Sequence, residues 1–246
     1  MDADKQKTSI SYHYTFTFPD GRTKEFDVKL DAVTLALIRQ KDPLYAQWAK
    51  LSYHQCSICP LHVAASEYCP VAVSLEELVE FFKDSISYEE VDVTIRTEAR
   101  MYTRHVSLQK GVSSLLGIYM VTTGCPVMEK LKPMVRFHLP FASPEETMYR
   151  VISMYLFAQY FIYKEGGKPD WDLEDLVKIY NDIKIVNQSF FERLSALQIQ
   201  DASLNALAIL HNFANYVTFA IDDDMLQRIK LTFDAYLTDK KVQPAR

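Results

Sequence analysis

The chain has 246 residues, 48% of them hydrophobic and 24% charged, with a formal net charge of −5. This is a globular composition with room for one large domain or two small ones sharing a core. The acidic balance argues against binding a nucleic-acid backbone, so no nucleic-acid partner is expected. Met1 to Lys5 contains no apolar run, so no signal peptide is expected. The longest apolar stretch, near 148–163, is interrupted by Arg150 and Gln159. It is too short for a bilayer and reads as a helix buried centrally in a bundle, with no membrane insertion and a cytoplasmic setting.

Apolar residues alternate at Ile10, Tyr12, Tyr14, Phe16 and Phe18, and again at Phe26, Val28 and Leu30, around Pro19-Asp20-Gly21-Arg22. That pattern predicts a β-hairpin with one buried face. Short helices are expected over 32–39 and 43–51, with Asp31 and Asp42 as caps and Pro43 at a first helical position. A loop of roughly 52–73 follows. Ser74-Leu75-Glu76-Glu77 reads as a capping box opening a helix to about Asp84. Val91 to Thr97 and Met101 to Val106 alternate and predict a second hairpin turning at Glu98-Ala99-Arg100.

From Ser107 the apolar period shifts from two to about 3.6. Helices are expected over Ser107–Thr123 with Gly124 as the stop, and from the Ser143 cap to Gly166-Gly167. Further helices are expected from Asp170-Trp171-Asp172 to about Leu197, from Asp201 through Val217, and from Asp222-Asp223-Asp224 onward. The aspartates suit a helix start, and Lys240 and Lys241 suit its end. The expected class is α+β: an antiparallel sheet of about four strands with a covering helix over 8–106, then a helical bundle over 107–238, sharing one core.

The chemistry-bearing stretch is the loop. Three of four cysteines, Cys56, Cys59 and Cys69, lie within it, and Cys125 arrives from the end of the 107–123 helix. In a chain expected to stay in a reducing compartment, a C-x2-C pair plus two more cysteines reads as one tetrahedral thiolate set. Cys59, Cys69 and Cys125 each precede a proline, a step familiar in ferredoxins, which tilts the expectation toward a [4Fe–4S] cluster over Zn²⁺. Cys56 to Leu61 also resembles the start of the iron–sulfur loop in some uracil-DNA glycosylases. A site joining the two halves would add folding energy on the order of 10 kcal/mol. The leading expectation is therefore a metal- or cluster-binding protein with a structural or redox-sensing role, docked to a protein partner. The bland alternative is four buried free cysteines.

Two other functions compete with it. His138, Glu146 and Arg150 could form an acid/base site, although Glu146–Arg150 is also an ordinary i,i+4 helix pair. The chain could instead be an interaction module with no metal. Phosphate-binding loops, zincin helices and serine-hydrolase elbows are absent from the sequence.

The opening hairpin, His54 to Leu61, Tyr68 to Val71, Gly124 to Pro126 and Arg136 to Pro140 together resemble an uncharacterised bacterial family, a domain of unknown function, over about residues 10–220. The resemblance implies a soluble bacterial protein with a four-thiolate site, and implies no activity.

Overall fold

A computed structural model describes residues 8–39, 44–221 and 224–241. The fold is α+β. Strands β1 (Ser9–Thr17), β2 (Thr23–Asp31), β3 (Glu90–Arg96) and β4 (Met101–Ser107) make one antiparallel sheet in the order β2-β1-β3-β4. The first hairpin turns where Gly21 takes φ +85°, a conformation open to glycine, and its N–H donates to Phe18 O at 3.0 Å. Tyr14 pairs with Phe26 on β2 and Ile95 on β3, so one face gathers Tyr12, Tyr14, Phe16, Phe26, Val28, Val93 and Ile95, all buried. The opposite face is polar, with cross-strand pairs His13–Asp27 at 2.7 Å and His105–Asp92 at 2.9 Å.

Two helices cover the apolar face, α1 (Pro70–Phe82) and α2 (Leu108–Thr122). Phe82 of α1 meets Phe16 edge-on at 5.2 Å and stacks on Phe26 at 5.6 Å. On α2, Gly111 lets the helix backbone approach the sheet: a Cβ there would stand 2.8 Å from Phe16 and 2.9 Å from Val93. Beyond α2 lie α6 (Ala202–Ala220) and then α5 (Glu174–Ser195). One hydrophobic core runs through sheet, α1, α2, α5 and α6. The remaining helices are α3 (Pro133–Arg136), α4 (Pro144–Lys164), α7 (Asp224–Leu231) and α8 (Asp234–Lys241).

Several local expectations are corrected. Residues 32–39 form no helix: the Asp31 carboxylate accepts from the N–H groups of Val33 and Thr34, making a turn, and Leu37 bridges back to Leu30. Of the 43–51 helix only a 3-10 turn, Gln47–Ala49, is present, and Asp42 and Pro43 lie outside the described residues. The α1 helix starts at Pro70, not Ser74. Proline fixes the first-turn geometry there, and the Ser74 hydroxyl donates back to Pro70 O rather than capping. Asp201 does precede α6, but its carboxylate takes the Ser87 N–H and hydroxyl, both at 2.8 Å, tying α6 to the β3 approach. The last expected helix is two, α7 and α8, and Asp222 and Asp223 lie outside the described residues.

The helix expected at the centre of a bundle is α4, and it is not central. Its buried residues are a narrow stripe, Met148, Val151, Tyr155 and Gln159, and every residue from Tyr160 to Lys168 is exposed. Among the described residues no helix is long and apolar enough to cross a membrane.

Candidate functional site

The cysteine loop is pinned at its base. Lys50 and Tyr68 form an antiparallel bridge, Leu51 N–H donates to Glu67 O at 2.8 Å, and Cys69 N–H donates to Ala49 O at 2.9 Å. Within it, Cys59 N–H closes a tight turn onto Cys56 O at 3.0 Å. Arg193 of α5, 1% exposed, reaches under the loop and donates to the carbonyls of Trp48, Lys50 and His54. A buried guanidinium thus satisfies three carbonyls around the loop base.

All four cysteines are free thiols. Cys69 is part of the core and precedes α1, while Cys56, Cys59 and Cys125 pack against that core. Burial pushes the Cys56 thiol up to about 11, against a hydrogen bond from Ser189 that lowers it, with the other three thiols adding smaller increases. Burial likewise raises Cys69, against the lowering pull of two backbone N–H groups and the Arg193 charge. Cys125 is raised by burial and lowered by the N–H groups of Met128 and Val127. These environments favour the neutral thiol.

Among the described residues no group of three or more His, Cys, Asp or Glu side chains is arranged to hold a metal ion. That overturns the metal- or cluster-binding function expected from Cys56, Cys59, Cys69 and Cys125. Spacing counts available sulfurs but does not fix where each packs; here Cys69 lies in the apolar core and Cys56, Cys59 and Cys125 pack against it.

The acid/base alternative fares no better as a constellation, because each member is engaged elsewhere. His138 Nε2 lies 3.0 Å from the Tyr14 hydroxyl and 3.2 Å from the Ser114 hydroxyl, which are themselves 3.1 Å apart. Burial, with the Arg150 charge second, lowers His138 to about 3, so the imidazole is neutral at ordinary pH. Glu146 closes a capping box: its Oε2 accepts from Ser143 N at 2.7 Å, and its own N–H donates to Ser143 Oγ at 3.1 Å. Arg150 donates to the carbonyls of Met134 and Phe137 at 2.9 and 3.0 Å. These bonds hold the 133–143 connection against the sheet and α4.

The surface that stands out was not anticipated as a site. On α4, Tyr149, Phe157, Tyr160 and Phe161 recur at helical spacing and are 49%, 63%, 46% and 52% exposed. Three of the rings touch: Phe157 meets Phe161 edge-on at 5.0 Å and stacks on Tyr160 at 6.2 Å. No charged residue occurs from Val151 to Tyr163. The helix is held rigidly at both ends. The Ser143 box closes the start, and at the finish Gly166, φ +82°, and Gly167 donate to the carbonyls of Tyr163 and Ile162. The next residues fold back, with Asp170 accepting from the Tyr155 hydroxyl at 2.7 Å and donating its N–H to Gln159 at 2.8 Å. The signal in the sequence was the uncharged run itself, which reads equally as a buried helix until the narrow buried stripe is seen.

The fold and this surface define an α+β domain that displays an aromatic helix face. The chain matches a family described as a domain of unknown function (DUF6901) over residues 10–234, and it belongs to that family. No curated protein and no solved structure matches it.

Proposed function

We propose that the chain works by docking, as an interaction module whose contact surface is the aromatic face of α4 and whose partner there is a second copy of the chain. The observation that carries this reading is the ring-rich face of Tyr149, Phe157, Tyr160 and Phe161, with no charged residue from Val151 to Tyr163. Aromatic side chains offer ~200 Å² each, so half-exposed rings on this face present an area on the order of 500 Å². That is the size of the largest apolar patch on an ordinary monomer, a patch that is often functional, and about half of the ~800 Å² per partner of a standard interface.

A second copy suits the charges flanking the face. Glu145 and Glu146 stand in the first turn of α4, and Lys164 and Lys168 stand at and beyond its last. Two antiparallel α4 helices about a two-fold axis place the acidic start of each near the basic end of the other, which is the self-complementarity such an interface needs. Four free thiols support a reducing, cytoplasmic setting.

Phe157→Glu and Phe161→Glu test the reading. Each leaves the buried stripe of α4 intact, so the fold is retained by circular dichroism, while sedimentation shows the assembly falling to monomer. A wild-type chain that is already monomeric, or variants that associate as the wild type does, would remove the proposal.

A further inference from the structure

The sheet has two edges, and the chain treats them differently. Along β2, Leu37 bridges to Leu30 and Ile38 N–H donates to Lys29 O at 2.8 Å, so part of that edge is covered. The other edge is β4, and no described segment pairs with its outer side. Thr97 N–H donates to Arg100 O and Leu108 N–H donates to Glu89 O, both at 2.8 Å, which fixes the alternation of the β3–β4 ladder. Tyr102, Arg104 and Val106 bond to β3, so the main-chain N–H and C=O groups of Met101, Thr103 and His105 point outward. All three residues are exposed. Natural sheets block a free edge with proline, lysine, a bulge or a covering loop. Met101 to Ser107 contains no proline or lysine, and its register with β3 runs without a bulge.

From this edge we infer that β4 takes an extended acidic segment of another protein as an added strand. Main-chain pairing with Met101, Thr103 and His105 supplies the affinity, and the side chains beside them supply the choice. Arg100, Tyr102 and Arg104 alternate along one side of the hairpin, the side on which β3 presents buried Val91, Val93 and Ile95. Neither arginine therefore meets a carboxylate across that ladder. Both are exposed, and Arg104 Nη1 donates to Phe141 O at 3.2 Å. An added strand sets its own alternate side chains ~5 Å from these. It fits best with an acid opposite Arg100, an apolar residue opposite half-buried Tyr102 and an acid opposite Arg104. The same arginines repel a basic strand, and a second β4 aligned on Arg104 would set two guanidinium groups face to face. This edge stands apart from the aromatic face of α4.

The test uses the full chain and two blocked peptides with threonine at alternate positions. One carries glutamate, valine and glutamate between the threonines, the other lysine, valine and lysine. The glutamate peptide is expected to shift the amide resonances of Met101, Thr103 and His105 saturably and to slow their exchange with solvent. The lysine peptide should bind at least tenfold more weakly. Thr103→Pro removes an outward N–H that the β3 ladder does not use, so the fold is retained by circular dichroism while the glutamate peptide binds at least tenfold more weakly. Arg104→Glu should reverse the order of the two peptides, and it decides alone should Thr103→Pro fail to fold. Unmoved amides with the glutamate peptide, equal binding of the two peptides, or a folded Thr103→Pro chain that binds as the wild type does would overturn the inference. So would a lower sedimenting mass for Thr103→Pro than for the wild type, which would give the edge to a second copy instead.

Discussion

His138 sits in the triangle with Tyr14 and Ser114, and the low pKa of its imidazole has a consequence for stability. Its ordinary value is 6.5, and burial together with Arg150 holds it near 3 in the folded chain. The unfolded chain therefore takes up this proton first as pH falls. The stabilisation is fully present above about 6.5 and is lost progressively toward pH 3, amounting to a loss on the order of 5 kcal/mol. Urea midpoints measured from pH 7 to 4 should fall more steeply for the wild type than for His138→Gln, which has no proton to take up there. Equal slopes would show that His138 is not held neutral. At Arg193 the expectation is simpler: Arg193→Met leaves the carbonyls of Trp48, Lys50 and His54 without their buried donor. This variant should lose about 3 kcal/mol, and Cys56 should react faster with a thiol reagent as the loop opens.

At the scale of single elements, the strands were the most legible part of the sequence. Alternation at Tyr12, Tyr14, Phe16 and Phe18 names a buried face directly, and that face is the one that packs on α1 and α2. The Ser143 start and the Gly166 stop of α4 were legible for the same reason, since capping is local chemistry. Ser143→Ala should cost about 1 kcal/mol of stability, read as a shift in thermal midpoint. What local patterns could not show was close approach between elements. Gly111 looks like a weak point in a helix, yet it sits where a Cβ would collide with Phe16 and Val93. Gly111→Ala should therefore destabilise by ~1–3 kcal/mol through overpacking, although alanine is the better helix former. A neutral or stabilising outcome would mean that α2 can move off the sheet. Asp31 and Ser74 misled because a carboxylate or hydroxyl that could cap a helix can equally close a turn or bond back to a carbonyl.

For the whole molecule, the α+β layering was legible, but the exposed aromatic face of α4 was not. Four cysteines carried the sequence reading toward a metal, because residue type and spacing were all that could be counted. Their packing in or against the core, and the absence of a metal-holding group among the described residues, turn on tertiary placement that spacing does not give. Conversely, α4 was read as interior because thirteen residues without a charge suggest burial. Only the placement of α5 and α6 against α2 leaves that helix on the outside with its rings displayed. A sequence states that a face is apolar; whether the same chain or another copy covers it is settled by the order in which helices stack. Sedimentation equilibrium of the wild-type chain across 1–100 μM (roughly the range in which standard-size interfaces of moderate affinity assemble) tests the docking account most directly. It predicts a mass rising to twice 28.5 kDa, whereas a constant 28.5 kDa over the whole range would contradict it.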